Sequence, residues 1–345
     1  MIDALATVRP DWEGMLRNLR REGTPDRVYY FEHGIADNIL DALDARFEIS
    51  RALDPTDSDY AYRRVLAIHR FLGLELFRVF PLGARMSVLR KHGEWADEHQ
   101  GPIGSWEDFE RYDWPRPEDA DLSVLEYYEA NLPEDMRAFQ VLDVWEVVRE
   151  LFGFETFCYK LYEEPGLVEA VVERVGGFAE TMTRALCDFE CLGVVYLADD
   201  LGYKTSTMIS PDDIRRLILP WHKRIADLSH EHGKIVFFHC CGQMYELIDD
   251  YIDDVKIDAK HSFEENVLPV TEVKRRYGER LSLLGGIDVD LLARGNEEST
   301  RAKTREVLDV CMPGGGYFLG SGNWVSEYIP VGNYLFMLDE ARRYA

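Results

Sequence analysis

The chain has 345 residues, 46% of them hydrophobic and 30% charged, an ordinary globular composition with material for a large core. Its 39 basic residues against 64 acidic ones leave a net charge of −25, which repels polyanions and argues against nucleic acid or an anionic membrane surface as partner. The six cysteines (Cys158, Cys187, Cys191, Cys240, Cys241 and Cys311) do not make a disulfide framework in a chain this long. Residues 1–9 show no apolar segment behind a basic start, and no apolar run approaches the roughly 20 residues of a membrane span, so a reduced, cytoplasmic enzyme is expected.

Taken in chain order, periodicity predicts a helix over 12–21, a strand at 28–31, helices at 36–47 and 59–71 and a strand at 74–80. A polar insertion rich in Trp and Pro follows at 91–121 and reads as a lid or a rim. Next come a helix at 123–131, a strand at 137–142, a long helical block at 167–192 and a strand at 194–197. The remainder reads as a helix at 211–232, a strand at 234–238, a helical pattern at 244–251, strands at 255–259, 281–284 and 316–319, and a closing helix at 330–344. Short apolar strands alternating with amphipathic helices predict βα units and a parallel sheet. Eight such strands predict a single (β/α)8 TIM barrel with an N-terminal helical extension, one domain over 1–345. No linker, low-complexity tract or fixed-period repeat interrupts it.

In a barrel, the residues after each strand converge on one mouth. Here they are Glu32 and His33, then Arg85, Asp143 and Glu146, and Asp199 and Asp200. His239 and Cys241, Lys260, His261, Glu264 and Glu265, then Asp288, Ser321 and Asn323 complete the set. The most informative stretch is 237–242, where a β-prone run stops at an imidazole and two thiols. His239 and Cys241, two apart, point the same way on a continuing strand and can hold a soft divalent metal such as zinc. Cys240 is expected to point into packing; a vicinal disulfide with Cys241 is the alternative. Asp199 and Asp200 suit either capping of the following helix or acid/base work at the mouth. The Gly285–Gly286 pair permits a tight turn, and Gly314–Gly316 precedes a strand, which makes it a turn and not a phosphate loop. No nucleophile elbow, P-loop or dinucleotide fingerprint is present.

Four blocks, in order and spacing, carry a family resemblance: Val144–Trp145–Glu146 through Gly153; Asp199–Asp200–Leu201–Gly202 with Ser210–Pro211 and Pro220; His239–Cys240–Cys241–Gly242; and Leu284–Gly285–Gly286–Ile287–Asp288 with Gly315–Gly316–Tyr317, Pro330 and Asn333. The chain resembles the uroporphyrinogen decarboxylase superfamily, from about Thr24 to the end. That superfamily also contains cobalamin-dependent methyltransferases acting on coenzyme M, and its fold is a (β/α)8 barrel. True decarboxylases carry an N-terminal arginine motif that grips the substrate's carboxylates. This chain reads Tyr29–Tyr30–Phe31–Glu32–His33–Gly34 there, so an anionic tetrapyrrole would lack its main partners. The methyltransferase branch binds zinc with His-x-Cys and a later cysteine, and the zinc activates the acceptor thiol. His239 and Cys241 match the first two ligands, and Asn323 stands where the third falls. Neutral asparagine is a poor zinc ligand, which leaves three outcomes: His261 or Glu264 supplies the third donor, a substrate thiolate completes the site, or the metal is gone and His239 with Asp200 does proton chemistry.

The resemblance thus implies a zinc-assisted methyltransferase, with a corrinoid supplied by a partner protein or a small methyl donor, and a small thiol-type acceptor. Asp200, His239 and Glu264 are the expected catalytic groups. Tyr29, Glu32, Glu146, Asp199, Tyr203, Asn323 and Trp324 are the expected substrate contacts. The alternatives are a metal-free decarboxylase-like lyase using Asp200, Glu32 and His239, and a non-catalytic ligand- or corrinoid-protein-binding homologue. Self-association stays open.

Overall fold

A computed structural model describes residues 4–86 and 98–344. Among them the chain alternates helices with seven strands: β1 Leu76–Arg78, β2 Arg137–Leu142, β3 Leu192–Ala198, β4 Ile235–His239, β5 Ala259–His261, β6 Ser282–Leu284 and β7 Tyr317–Phe318. This is an α/β fold, as expected. Its elements fall into two compact units, one made of Met1–Arg78, Leu132–Ala138 and Asp258–Ala345, the other of Val79–Asn131 and Phe139–Ile257.

In the first unit β5, β6 and β7 pair in parallel, Ala259 with Ser282 and Leu283 with Tyr317 setting the register. The helices Glu297–Cys311 and Val331–Arg342 pack together over this unit. The former starts at a reciprocal cap between Asn296 and Ser299, which satisfies two otherwise orphaned N–H groups. Arg301 ties it to Asp339 of the latter at 2.7 Å.

In the second unit β3 and β4 run parallel in register from Val194–Ile235 to Ala198–His239. Every residue of β3 is buried, the mark of a strand covered on both faces. One cover is the helix Pro165–Cys187, whose Leu167, Val168, Val171, Val172 and Val175 recur at helical spacing and turn inward. It packs against the helix Leu219–Glu231.

Four expectations are corrected. The strand expected at 28–31 lies beside β7 but makes one bridge, Tyr30 with Leu319, held by Phe31 N–H on Leu319 O at 2.9 Å and Leu319 N–H on Tyr29 O at 2.8 Å. The reason is that β7 is only two residues long; Gly316, at φ +71, bends the chain just before it. The strand expected at 255–259 begins at Ala259, because Asp250–Val255 winds into a π-helical turn that Lys256 ends in the left-handed region at φ 63. Lys260 and His261 therefore lie within β5, not after it. The helical pattern at 244–251 is mostly turn and becomes helical only at Ile248, where it runs into that π-helical turn. The single helix expected at 211–232 is two, Pro211–Leu217 and Leu219–Glu231, broken at Ile218 because the Pro220 ring and its missing N–H cannot continue a helix from upstream. Of the polar insertion, residues 91–97 lie outside the described residues; the rest includes a short helix, Trp106–Arg111, and a 3-10 turn, Pro117–Asp119. Among the described residues no helix is long and apolar enough to cross a membrane.

Candidate functional site

The register of β3 and β4 places their C-terminal ends level, so Asp199–Asp200 and Cys240–Cys241 leave side by side. Two glycines keep these loops in contact. Gly242 sits at φ +72, and a Cβ there would come within 2.6 Å of the Gly202 carbonyl carbon. Any other residue brings both left-handed strain and a backbone clash. The loops are then joined by a bridge between Tyr203 and Gln243, with Gln243 N–H on Tyr203 O at 2.6 Å.

This zipper delivers three donors to one place. Cys241 N–H donates to Asp200 Oδ1 at 2.7 Å. Cys241 Sγ lies 3.3 Å from His239 Nε2, and His239 Nε2 lies 3.5 Å from Asp200 Oδ1. All three ligand atoms fall within 4.8 Å of one another. Ligands at zinc–nitrogen, –oxygen and –sulfur distances on a tetrahedron are separated by roughly 3.3–3.7 Å, so the set fits zinc in both chemistry and spacing. Burial alone raises the proton affinity of Asp200, but His239 and the Cys241 N–H outweigh it and hold the carboxyl well below the usual carboxylate range. In this unit the carboxylate that stands beside His239 and Cys241 is that of Asp200, expected from sequence as an acid/base group. Cys240 points the other way, as expected, with its buried Sγ accepting Leu201 N–H at 3.3 Å, and no disulfide joins it to Cys241.

Asp199 turns inward. It is fully buried and accepts N–H groups from Val144 (2.9 Å), Trp145 (3.0 Å) and Glu146 (2.9 Å), at the start of the helix Trp145–Phe152. His222 Nε2 meets it at 2.7 Å, and His222 Nδ1 meets Tyr251 Oη at 2.8 Å. Asp199 therefore caps a helix, but one far away in sequence and not the one that follows it. Its carboxylate, expected to contact substrate, is spent inside the fold. Burial works against its charge; His222 and the helix N–H groups overcome that and lower its pKa. His222 and Tyr251 escaped the sequence reading, because a histidine and a tyrosine on apolar helix faces carry no local signal.

Glu146 pairs with Arg149 at 2.6 Å, and its Oε1 is sealed from water without a hydrogen-bond partner. Burial first, then the nearby Asp200 and Asp199, push its pKa up to about 7 against the pull of Arg149. Asp143 is buried against Arg85. Tyr203 is exposed on the bridged loop.

In the first unit, Glu32 is buried and accepts Ser321 Oγ at 2.6 Å and Ser321 N–H at 3.1 Å. Burial outweighs these bonds and pushes its pKa up to about 8. His33 stacks on His261 with ring centres 5.7 Å apart, and Trp324 meets His33 edge-on at 5.6 Å. His261 Nε2 faces the Ser321 carbonyl at 3.4 Å. Glu264, Asn323 and Trp324, all half-buried, line a cleft of about 870 Å³ together with Glu265, Asp288 and Tyr328. Tyr29 lies apart from these, buried with its hydroxyl 3.4 Å from Asp11 and the Arg27 guanidinium 4.2 Å from its ring. His261, in β5, and Glu264, in the loop that follows it, are the expected third donors carried by this unit.

Glu32 has a measurable consequence. A carboxyl whose folded pKa of about 8 exceeds its ordinary 4.5 binds its proton more tightly when folded. Its contribution to stability is complete at low pH and declines as pH rises through that window, by at most ~1.4 kcal/mol per pH unit. Glu75, pushed up to about 7 by burial, acts in the same direction. Thermal unfolding from pH 5 to 9 is therefore expected to show a shallower decline for Glu32→Gln than for the unaltered chain; parallel curves would contradict the assignment.

An α/β scaffold that places imidazole, thiol and carboxylate together past the ends of parallel strands defines a class of protein whose chemistry sits at strand ends. Within that class, the chain belongs to the uroporphyrinogen decarboxylase (URO-D) family, whose model matches residues 144–344, more than half of its length. This is the family that the sequence blocks resemble. The fold is also similar to that of a methyltransferase from Methanosarcina mazei, at 18% sequence identity and a TM-score of 0.68, over 97% of this chain and 98% of that one. No curated protein matches the chain.

Proposed function

We propose that the protein is a zinc-assisted methyltransferase, moving a methyl group from a corrinoid or a small methyl donor to a small thiol-type acceptor. The observation that carries this reading is the convergence of His239 Nε2, Cys241 Sγ and Asp200 Oδ1 within 4.8 Å. Zinc held by these three residues would supply the Lewis acidity that makes a bound thiol a better nucleophile near neutral pH. The chain's own part is to keep the donors ionised and aimed: Asp200 is held deprotonated, and Asp199 anchors the loop behind it. In the transfer, sulfur gains the methyl carbon, the donor–carbon bond breaks with its electron pair left on the donor, and the thiol proton leaves. The reading extends to the scaffold, a closed (β/α)8 barrel over residues 1–345 in one domain, which the seven formed strands and the family support. The likeness to a methyltransferase supports the reaction class, and a corrinoid-carrying partner protein is the expected donor.

A metal-free lyase is the second reading, favoured by Glu32, a buried carboxyl that keeps its proton near neutral pH and could serve as an acid. Elemental analysis of untagged protein separates the two. About one zinc per chain, lost in Cys241→Ser, together with methyl transfer from methylcobalamin to 2-mercaptoethanol, is the expected result. Metal-free native protein without transfer would overturn the methyltransferase in favour of the lyase.

A further inference from the structure

Behind the donor cluster runs a chain of buried polar groups, Asp199, His222 and Tyr251. Asp199 N–H donates to the His239 carbonyl at 3.1 Å, and the residue after Asp199 is Asp200, so the Asp199 backbone is fastened to two of the three residues of the cluster. The direction of that backbone is set through the side chain. Asp199 Oδ2 meets His222 Nε2 at 2.7 Å, and His222 Nδ1 meets Tyr251 Oη at 2.8 Å. All three residues are fully buried. Tyr251 also lies face to face on Phe238, with ring centres 4.0 Å apart and planes 11° from parallel. Phe238 precedes His239 in β4 and leaves the strand on the opposite side.

Two features set this chain of groups apart from ordinary core. Tyr251 is delivered by the π-helical turn Asp250–Val255, and such turns are rare and recur at functional sites. A buried carboxylate, imidazole and phenol also carry a desolvation cost that apolar side chains of similar volume would avoid. What the polar chain supplies is direction, because each hydrogen bond fixes the orientation of the next group. We infer that His222 and Tyr251 are positioning residues: acting through Asp199, they fix the angle at which His239 and Asp200 are presented to zinc, and with it the affinity for the metal. The inference rests on the zinc reading of the cluster.

The test is zinc affinity, measured by competition with a chromophoric chelator on untagged full chains that circular dichroism shows to be folded without metal. Under that condition lost stability alone leaves the affinity unmoved. Tyr251→Phe keeps the ring and its stack on Phe238 and removes only Oη; it is expected to bind zinc roughly 10-fold more weakly. His222→Gln keeps a group that can donate to Asp199 but breaks the link to Tyr251, and a loss of roughly 10–100-fold is expected. Because Tyr251 acts through His222, the double variant should be no weaker than His222→Gln alone. Cobalt(II) loaded in place of zinc reports the coordination angles, and its visible absorption bands should shift in both single variants. Affinities and cobalt spectra equal to those of the unaltered chain would overturn the inference while leaving the zinc reading intact. Losses that multiply in the double variant would overturn the route through His222. Tyr251→Phe decides the matter if the glutamine variant does not fold. Absence of zinc binding by the unaltered chain would overturn the zinc reading and this inference with it, and it is seen before any variant is made.

Discussion

Asp200→Ala is expected to weaken zinc binding by at least ~100-fold, as measured by competition with a chromophoric chelator, and to abolish methyl transfer with it. The expectation follows from position. Asp200 Oδ1 stands 3.5 Å from His239 Nε2 and accepts the Cys241 N–H, so in the proposed site it would contribute a ligand atom and also orient the residue that would contribute another. Its charge matters beyond its place, because the negative charge of a carboxylate favours a dication. Asp200→Asn should therefore fall between the unaltered chain and the alanine variant: the amide oxygen can still accept the Cys241 N–H but carries no charge. The contrast separates orientation from ligation. Equal zinc affinity in all three proteins would remove Asp200 from the donor set and return the third position to another residue.

The second large effect is on stability. Asp199→Ala is expected to cost about 3–5 kcal/mol in urea unfolding at pH 7, the range seen when one partner of a buried charge-assisted network is removed. Three backbone N–H groups at the start of the helix Trp145–Phe152 lose their acceptor, and His222 loses its carboxylate; Val144, Trp145 and His222 have no solvent to replace it. The pH dependence has a definite sign. The Asp199 pKa is depressed in the folded state, so its contribution is present above the ordinary aspartate value and is lost as pH falls through the folded value. Asp199→Asn should accordingly weaken the loss of stability on the acid side and leave its dependence above neutral pH unchanged. A cost below ~1 kcal/mol for Asp199→Ala would mean that the helix start is held by something else.

These two aspartates are neighbours in the chain, and the sequence reading treated them as a pair, each suited to capping or to chemistry. The structure divides the roles: Asp199 caps and Asp200 faces the donors. The divider is the alternation of side chains past β3, which sends consecutive residues to opposite sides, a rule legible in sequence. Which side holds the helix start and which holds His239 is decided only by packing.

Other features divide along the same line. The strands 137–142, 234–238 and 281–284 were legible because their apolar runs are short, bounded and rich in branched and aromatic residues. The spurious extension at 255–259 came from Val255, Ile257 and Ala259, whose alternate spacing imitates a strand; all three are buried, but the first leaves a π-helical turn. Burial reproduces the pattern there without the ladder, and only long-range pairing separates the two. The break at Ile218 was readable in principle from Pro220, whose ring carries the signal locally.

What the sequence by itself determined is the alternation of strands and helices, the family, and the His239–Cys241 pair, because each depends on residue types at short, fixed spacing. The placement of Asp200 beside His239 and Cys241, and the clamp behind it, were decided by tertiary structure alone. Asp200 reaches Cys241 across 41 positions because β3 and β4 end in register and Gly202 lets Gly242 approach, and His222 reaches Asp199 from a helix 23 positions away. Contacts of that separation arise from backbone pairing and close packing, and no local spacing in a single chain encodes them.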